Sequence, residues 1–263
     1  MTRELYGALS SSAVDRARFD ARAILCAMSE VDELRHVHYP ELVRAPLGAL
    51  VRRLLREIGY EPDRGDGPTI AFGDRYSQVC TASVRRMFMF GLWDKGVSYG
   101  HGKTDSPRAM VDAIAAFVFD RKSVDEMVDR FPFIELGAAA RAHEQGKLVE
   151  HRWAEYLAWN GESAVRRALL PVVQETSRQS KLRGLFPFVS LESLHFSRTT
   201  GYPYRAIDAW ASPAKRNDAY EVFVGEPTGP RSLGEGDARW TAETLERAVP
   251  DDVGPAVDGT AED

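Results

Sequence analysis

The segment TIAFGDRYSQVCTASVRRMFMFGLWDKGVSYGHG, residues 69–102, decides the fold class. It consists of short runs rich in β-branched and aromatic residues, separated by residues that form turns, which is typical of consecutive antiparallel strands. The Asp-Lys-Gly turn at residues 94–96 suits a hairpin, because Asp tolerates a positive φ angle and Gly adopts one freely. In residues 87–92, two methionines and a glycine alternate with bulkier apolar residues, so both faces of this strand are predicted to be partly buried.

Helical patterns flank these strands on both sides. Before the strands, apolar residues at helical spacing predict one helix over residues 13–28 and another within residues 41–60. After the strands, a helix is predicted to begin at Pro107, with Asp105 or Ser106 as its N-terminal cap. Strands and helices therefore alternate in blocks, which is typical of an α+β protein.

The second half of the chain repeats this alternation. Charged and apolar residues recur at helical spacing over residues 137–185, where Pro171 is expected to break or kink a helix. Residues 185–203 predict one or two strands, and residues 218–226 predict a further strand. The last helix is predicted from about residue 237 to residue 249.

We therefore predict an α+β fold, with an antiparallel sheet or sheets flanked by helices. The tripeptide FPF occurs at residues 131–133 and 186–188, which suggests two related halves, each a β-meander with a helix, sharing one sheet. The predicted domains are a helical N-terminal extension over residues 1–60, an α+β core over residues 61–250, and an acidic, disordered tail over residues 251–263.

The composition limits the kinds of partner. The 263 residues are 44% hydrophobic and 28% charged, which is an ordinary globular composition. The formal charge of −5 equals the charge of the five tail carboxylates, and a neutral body argues against a nucleic-acid partner. No apolar run approaches the ~20 residues of a membrane span. The N-terminus lacks the apolar core of a signal peptide, so a cytoplasmic protein without a membrane partner is predicted.

No metal site and no cofactor are expected. The histidines of the pair His36 and His38 would point the same way on a strand, but the spacing suggests no third ligand. Cys26 and Cys80 lack a CxxC partner and are interpreted as small core residues. Neither a glycine-rich phosphate loop nor a GxSxG elbow occurs in the sequence.

Two histidines are candidates for acid/base catalysis, because an imidazole titrates near neutral pH. His101 lies between two glycines at the end of a strand, just before a helix N-terminus that favours an anion. The alternative at His101 is a plain connection between a strand and a helix. His195 belongs to LESLHFSRTTGYPYR, residues 191–205, which forms either a small-molecule pocket or a structural corner.

Strand alternation separates the side chains of this segment. Leu194, Phe196 and Arg198 are predicted on the core face, with His195 and Ser197 on the other. A guanidinium on the core side needs a carboxylate or an anionic ligand, so Arg198 is the candidate that holds an acidic group. Aromatic side chains would line the wall of such a pocket. The residues predicted to bind a substrate are Arg198, Thr200, Tyr202 and Trp153.

The segment KLRGLFPFVSLESLHFSRTTGYPYR, residues 181–205, resembles a bacterial family of unassigned function that is described as natural-product biosynthesis proteins. The pattern of that family is R-L-x-x-L-F-P-F-x-S-H-x-x-L-x-F-S-R-x-T-x-x-P. The matching residues are Leu182, Leu185, Phe186, Pro187, Phe188, Ser190, Leu194, Phe196, Ser197, Arg198, Thr200 and Pro203. Leu191 departs from the pattern, since the family has histidine there. The likeness runs from about residue 85 to 250, and its upstream part rests on Gly102, Thr104, Pro132, Phe133, Val149, Glu150 and Trp153.

The resemblance implies a biosynthetic setting rather than a particular reaction. The sequence favours an enzyme of natural-product biosynthesis that acts by cofactor-independent acid/base chemistry on a small, anionic substrate. Its reaction would be of the cyclase, isomerase, dehydratase or hydrolase type, with His101 or His195 as acid or base. The alternative is a non-catalytic accessory protein that binds a biosynthetic enzyme, a carrier protein or an intermediate. The amphipathic helices of residues 137–180 favour that alternative, and the sequence sets no oligomeric state.

Overall fold

The computed structural model describes residues 38–43, 45–62, 67–83, 85–161, 163–214 and 218–263. Within these residues the fold is α+β, as predicted, with eight α-helices and two five-stranded antiparallel sheets. Contacts divide the described chain into an N-terminal unit that ends at Gln145 and a C-terminal unit, Gly146–Asp263. The sequence had grouped residues 61–250 into one α+β core with an antiparallel sheet or sheets. The helix predicted over residues 13–28, Cys26 and His36 lie outside the described residues.

The N-terminal unit contains a sheet whose strands follow chain order, each antiparallel to the next. Its strands are β1 (Thr69–Phe72), β2 (Arg75–Thr81), β3 (Phe88–Asp94), β4 (Val97–Thr104) and β5 (Ile134–Leu136). Its helices are α1 (Leu47–Glu57), α2 (Pro107–Ile114) with a π-helical turn at Ala115–Phe119, α3 (Val124–Arg130) and α4 (Ala138–Glu144).

Local sequence explains how these elements begin and turn. Ser106 caps α2 by accepting a hydrogen bond from the backbone N–H of Ala109, with Pro107 in the first turn. The hairpin between β3 and β4 turns at Lys95 and Gly96, both with positive φ. One face of β3 is fully buried in a core formed with α2 and the π-helical turn. Cys80 is half-buried on β2.

The C-terminal unit contains a second sheet, also with its strands in chain order. Its strands are β6 (Phe186–Ser190), β7 (Ser193–Ser197), β8 (Ala206–Pro213), β9 (Tyr220–Val224) and β10 (Arg231–Gly236). Its helices are α5 (Leu148–Leu157), α6 (Ala164–Thr176), α7 (Ser180–Arg183) and α8 (Ala238–Ala248). The sequence had not predicted β10 and had not distinguished β8.

One face of this second sheet packs against the helices. Leu194, Ala211 and Val222 point from three neighbouring strands into a core that includes Leu169 of α6 and Leu245 of α8. Because side chains alternate along a strand, the residues between these positions point to the opposite face, which we call the outer face. The predicted duplication of the two halves stays a prediction.

Pro171 does not break helix α6, and a kink at this position stays a prediction. The helix continues through Pro171 and ends at Thr176. A proline removes one N–H donor, here the one that would pair with the carbonyl of Arg167. The neighbouring Leu169 and Val172 are fully buried, and this packing holds the turn together despite the missing hydrogen bond. In the described part of the chain, every helix is too short or too polar to cross a membrane.

The acidic tail, which composition predicted to be disordered, is packed along the loop that follows β7. The backbone N–H of Val257 donates to Arg198 at 3.0 Å, and the N–H of Thr200 donates back to Val257 at 3.1 Å. The N–H of Gly201 donates to Gly259 at 2.7 Å. Satisfied backbone groups of this kind fix a segment whose side chains alone would not.

Candidate functional site

Four aromatic side chains form a row across the outer face of the second sheet. Phe188, His195, Trp210 and Phe223 lie on β6, β7, β8 and β9, and each is the direct cross-strand partner of the next. Directly opposite side chains on one face of an antiparallel pair contact each other. We call these four residues the ring ladder.

The rings of the ladder are stacked in parallel. The centroids of Phe188 and His195 lie 5.2 Å apart, and the next two spacings, to Trp210 and on to Phe223, are both 5.6 Å. The ring planes differ by 18° to 19°. Because these spacings are close to the distance of ~4.8 Å between strands, the rings stand upright on the sheet. All four side chains are half-buried, so the ladder presents a strip of ring edges.

Two tyrosines extend the ladder beyond Phe188. The ring of Tyr204 lies 4.5 Å from that of Phe188 and 5.7 Å from that of Phe186. Tyr202 meets Tyr204 edge to face at 5.7 Å and is 47% exposed. The predicted wall residue Tyr202 therefore lies beyond the end of the ladder, three ring contacts away from the ladder's second residue, His195.

His195 is uncharged at neutral pH. Burial lowers the pKa of its imidazole to about 4, and a hydrogen bond with the backbone of Ser190 opposes this shift. The neighbours of the ring are the aromatic side chains of Phe188 and Trp210. An imidazole with so low a pKa is a weak base at pH 7, because efficient general bases have a pKa near the working pH.

A buried arginine lies near Tyr204. Arg152 of α5 is 6% exposed, and its Cζ lies 5.0 Å from the ring of Phe186 and 5.6 Å from the ring of Tyr156. Its Nη1 lies 3.3 Å from a carboxylate oxygen of Glu155. Burial lowers the pKa of this guanidinium, but Tyr156, Glu155 and Tyr204 raise it by more, so the group stays a cation.

One atom of this guanidinium has spare hydrogen-bonding capacity. The Nε of Arg152 is buried and has no hydrogen-bond partner among the described residues. A buried donor without a partner costs about 1–3 kcal/mol. A hydrogen-bond acceptor bound beside Arg152, near Tyr204 and Phe186, would therefore stabilise the protein.

The segment with the candidate substrate-binding residues Arg198 and Thr200 forms a structural corner. Thr200 is buried, and its hydroxyl donates to Asp258 of the tail at 3.1 Å. Arg198 is exposed, whereas strand alternation had predicted it on the core side. That prediction is wrong because the pairing of β7 with β8 shifts register between His195 and Ser197, and β7 ends at Ser197 before Arg198 is reached.

The remaining candidates, Trp153 and His101, are not part of the ring ladder. Trp153 is fully buried under the sheet, where its indole N–H donates to the carbonyl of Leu185 at 3.1 Å. His101 lies on the sheet of the N-terminal unit, and its Nε2 is 3.1 Å from a carboxylate oxygen of Glu135. Both partners of that ion pair are more than half exposed. Among the described residues, no three His, Cys, Asp or Glu side chains are placed to share a metal ion.

Sequence reasoning found part of this site and missed the rest. His195 and Tyr202 were predicted as candidates from the sequence, whereas Arg152 lay unnoticed in a segment predicted to form amphipathic helices. The alternation in FPFVS and in YEVFV is the signal that could have placed Phe188 and Phe223 opposite the core residues.

The residues of this site lie in the part of the chain that a family model matches. The model describes a family of unknown function, DUF6193, and it matches residues 147–260. The C-terminal unit is therefore similar to that family from its first helix to its tail. The comparisons with curated proteins and with solved structures each gave no match.

Proposed function

We propose that the protein is a non-catalytic binding protein of a natural-product pathway, and that the outer face of the C-terminal sheet is its binding surface. The ring ladder is the observation that carries this proposal. Aromatic side chains that stay half-exposed offer a large, rigid contact area, and ordering them on binding costs little entropy. Four such rings in register form a continuous strip rather than scattered surface residues.

The surroundings of the two candidate catalytic histidines support binding over acid/base chemistry. His195 has aromatic neighbours on both sides and a pKa of about 4, so it is a weak base at pH 7. The side chain of His101 contacts Glu135 at 3.1 Å, and both side chains are more than half exposed to water. In the ladder, His195 serves as a flat ring between Phe188 and Trp210.

The biosynthetic setting comes from the resemblance of residues 181–205 to natural-product biosynthesis proteins. The match to the family of unknown function covers the same segment and all four residues of the ladder. A binding protein in such a pathway would hold an intermediate or a partner enzyme. The ring ladder supports this role without requiring a catalytic group on the surface.

A test compares catalytic and binding variants in a strain that makes the pathway's product. His195→Phe keeps a flat ring in the ladder but removes all acid/base capacity, and His101→Ala removes the other candidate. We expect both variants to retain product formation. Trp210→Ser combined with Phe223→Ser opens the ladder on its last two strands, and we expect product to fall at least tenfold with the protein still folded.

The opposite pattern would support the enzyme. Loss of product with His195→Phe or His101→Ala, and unchanged product with the two serine substitutions, would contradict a binding role of the ladder. Circular dichroism of each purified variant serves as the control for folding.

A further inference from the structure

We propose that the ring ladder binds a small aromatic molecule with an oxyanion, and that Arg152 binds this oxyanion at the β6 end of the ladder. This inference rests on the proposed function and specifies the chemistry of the ligand. Its aromatic part would pack along the ring edges near Phe188, and its anionic group would reach the guanidinium behind Tyr204.

The charge of Arg152 and its one unpartnered donor carry the first step. A guanidinium has five N–H donors, and in Arg152 this group interacts with Glu155, 3.3 Å from Nη1, and with Tyr156 through a side-chain hydrogen bond. The buried Nε has no hydrogen-bond partner among the described residues. Carboxylates, sulfonates and phosphates match the planar fork of a guanidinium and form short, charge-assisted hydrogen bonds with it. An oxyanion would therefore accept the hydrogen bond that the Nε of Arg152 makes to none of the described residues.

The position of Arg152 at the sheet edge carries the second step. Strand β6 is an edge strand, and α5 packs against it. Phe186 and Phe188 are two residues apart on β6, so their side chains point to the same face. The guanidinium of Arg152 contacts the ring of Phe186, so it reaches round the unpaired edge of β6 to the side that carries the ring ladder.

Tyr204 provides the movable wall between the ladder and Arg152. Its ring contacts both Phe186 and Phe188, and its phenol is close enough to influence the charge of Arg152. Tyr204 lies in the irregular loop between β7 and β8, outside any strand. Loop residues move more readily than residues held in a sheet, so a rotation of Tyr204 can open the way to the guanidinium.

The other end of the ladder repels an anion, which sets the orientation of the ligand. Glu221 of β9 and Glu235 of β10 are direct cross-strand partners next to the strand position of Phe223. Two carboxylates opposite each other disfavour further negative charge. The cation at β6 and the carboxylates at β9 and β10 therefore direct the oxyanion to the β6 end.

The test uses two probes with the same aromatic rings and different charge. The full-length protein is titrated with 8-anilinonaphthalene-1-sulfonate, an anion, and with N-phenyl-1-naphthylamine, which is uncharged. We expect the sulfonate to bind at least tenfold more tightly to the wild type. Arg152→Met is expected to weaken the sulfonate at least tenfold and to leave the affinity for the uncharged probe unchanged. Arg198→Met removes an exposed arginine and should leave both affinities unchanged.

The outcomes separate this inference from the proposed function. Equal affinity of the wild type for both probes, or no effect of Arg152→Met, overturns the role of Arg152. Binding of both probes that is unaffected by Trp210→Ser with Phe223→Ser shows that the dyes bind elsewhere, and this overturns the ladder as the surface. Should Arg152→Met fail to fold, Arg152→Lys must still reduce the preference for the sulfonate, because an ammonium lacks the planar fork.

Discussion

The two units each bury one arginine against aromatic rings, and the two arginines differ in how their donors are used. In the N-terminal unit, Arg75 is 6% exposed and lies 4.6 Å from the ring of Phe117. Its Nε donates to Asp94 at 3.0 Å, and its Nη1 donates to the carbonyls of Phe117 and Lys122 at 3.2 Å and 2.9 Å. In the C-terminal unit, Arg152 is equally buried, but its Nε has no hydrogen-bond partner among the described residues.

This difference indicates different roles. Arg75 ties the start of β2 to the end of β3 and to the π-helical turn, so the cation holds three elements together. Its counter-ion Asp94 comes from a neighbouring strand. The nearest carboxylate to Arg152 comes from its own helix, three residues on, and is a third exposed. A buried cation that links elements is structural, whereas one with an unused donor is suited to bind a ligand.

The two sheets also differ in how the aromatic rings on one of their faces are oriented. In the N-terminal sheet, the ring of Trp93 lies over Gly91, where a Cβ atom would come within 2.0 Å of the indole. The same indole stacks on Tyr76 at 5.3 Å. The indole of Trp93 therefore lies flat against the N-terminal sheet and covers Gly91. In the C-terminal sheet every position of the ladder carries a ring, so the rings stand upright and their edges stay accessible.

The largest effect is expected from removing the structural arginine. Arg75→Met leaves Asp94 buried without its cation, and breaking a buried ion pair in this way costs about 3–5 kcal/mol. Hydrogen exchange of peptides that cover residues 75–94, followed by mass spectrometry, measures the loss within the N-terminal unit. The double variant Arg75→Met with Asp94→Leu removes both charges and should recover most of the stability. A loss below about 1 kcal/mol for the single variant would contradict the structural role of Arg75 and its contrast with Arg152.

A smaller effect on stability is expected when the pH is lowered, because His195 of the ring ladder titrates. The pKa of His195 is about 4 in the folded protein and ~6.5 in the unfolded chain, so below pH 6.5 the unfolded chain binds a proton that the folded protein does not. Stability should therefore fall as the pH is lowered from 6.5 to 4, by about 1–3 kcal/mol in total.

His195→Phe isolates this effect, because phenylalanine keeps a ring in the ladder and does not titrate. Unfolding free energies of the wild type and of His195→Phe, measured at pH 7.5 and at pH 4.5, should diverge at the lower pH, with the variant more stable. Parallel values at both pH values would mean that water reaches the imidazole freely and that the ladder is not packed.

The smallest effect on stability is expected from Arg152→Met. Methionine keeps an apolar stem against Phe186, and the carboxylate of Glu155 can be hydrated, so the loss should be about 1 kcal/mol, the size of a cation–π contact. Hydrogen exchange of residues 186–224 measures it. Arg183→Met, which removes a cation over the ring of Trp153, is the matched control. A loss as large as that for Arg75→Met would make Arg152 a structural residue.

Much of the fold could be predicted from the sequence, because the signals are local. The turn at Lys95 and Gly96, the capped start at Ser106 and the helix that begins after Asp237 each depend on a few neighbouring residues. Pro171 does not end its helix, because packing from distant residues maintains the helix around it. Strand β10 was missed because two glycines and exposed residues weaken its pattern.

The candidate site was less predictable, because it depends on register. A shift of one residue in strand pairing moves every side chain to the other face, and the irregular pairing after His195 turned Arg198 outward. The corner formed by Thr200 depends on the tail, which lies almost sixty residues further along the chain. No local pattern gives such a contact.

The sequence by itself determined the α+β class, the positions of most strands and helices, and the candidacy of His195 and its aromatic neighbours. These follow from the period of apolar residues and from caps and turns, which act over a few residues. Only the tertiary structure decided that four rings from four strands stand in one row, and that Arg152 reaches the same face from a helix. Both depend on pairing and packing between segments far apart in the chain, which are set by the free energy of the whole unit rather than by neighbouring residues.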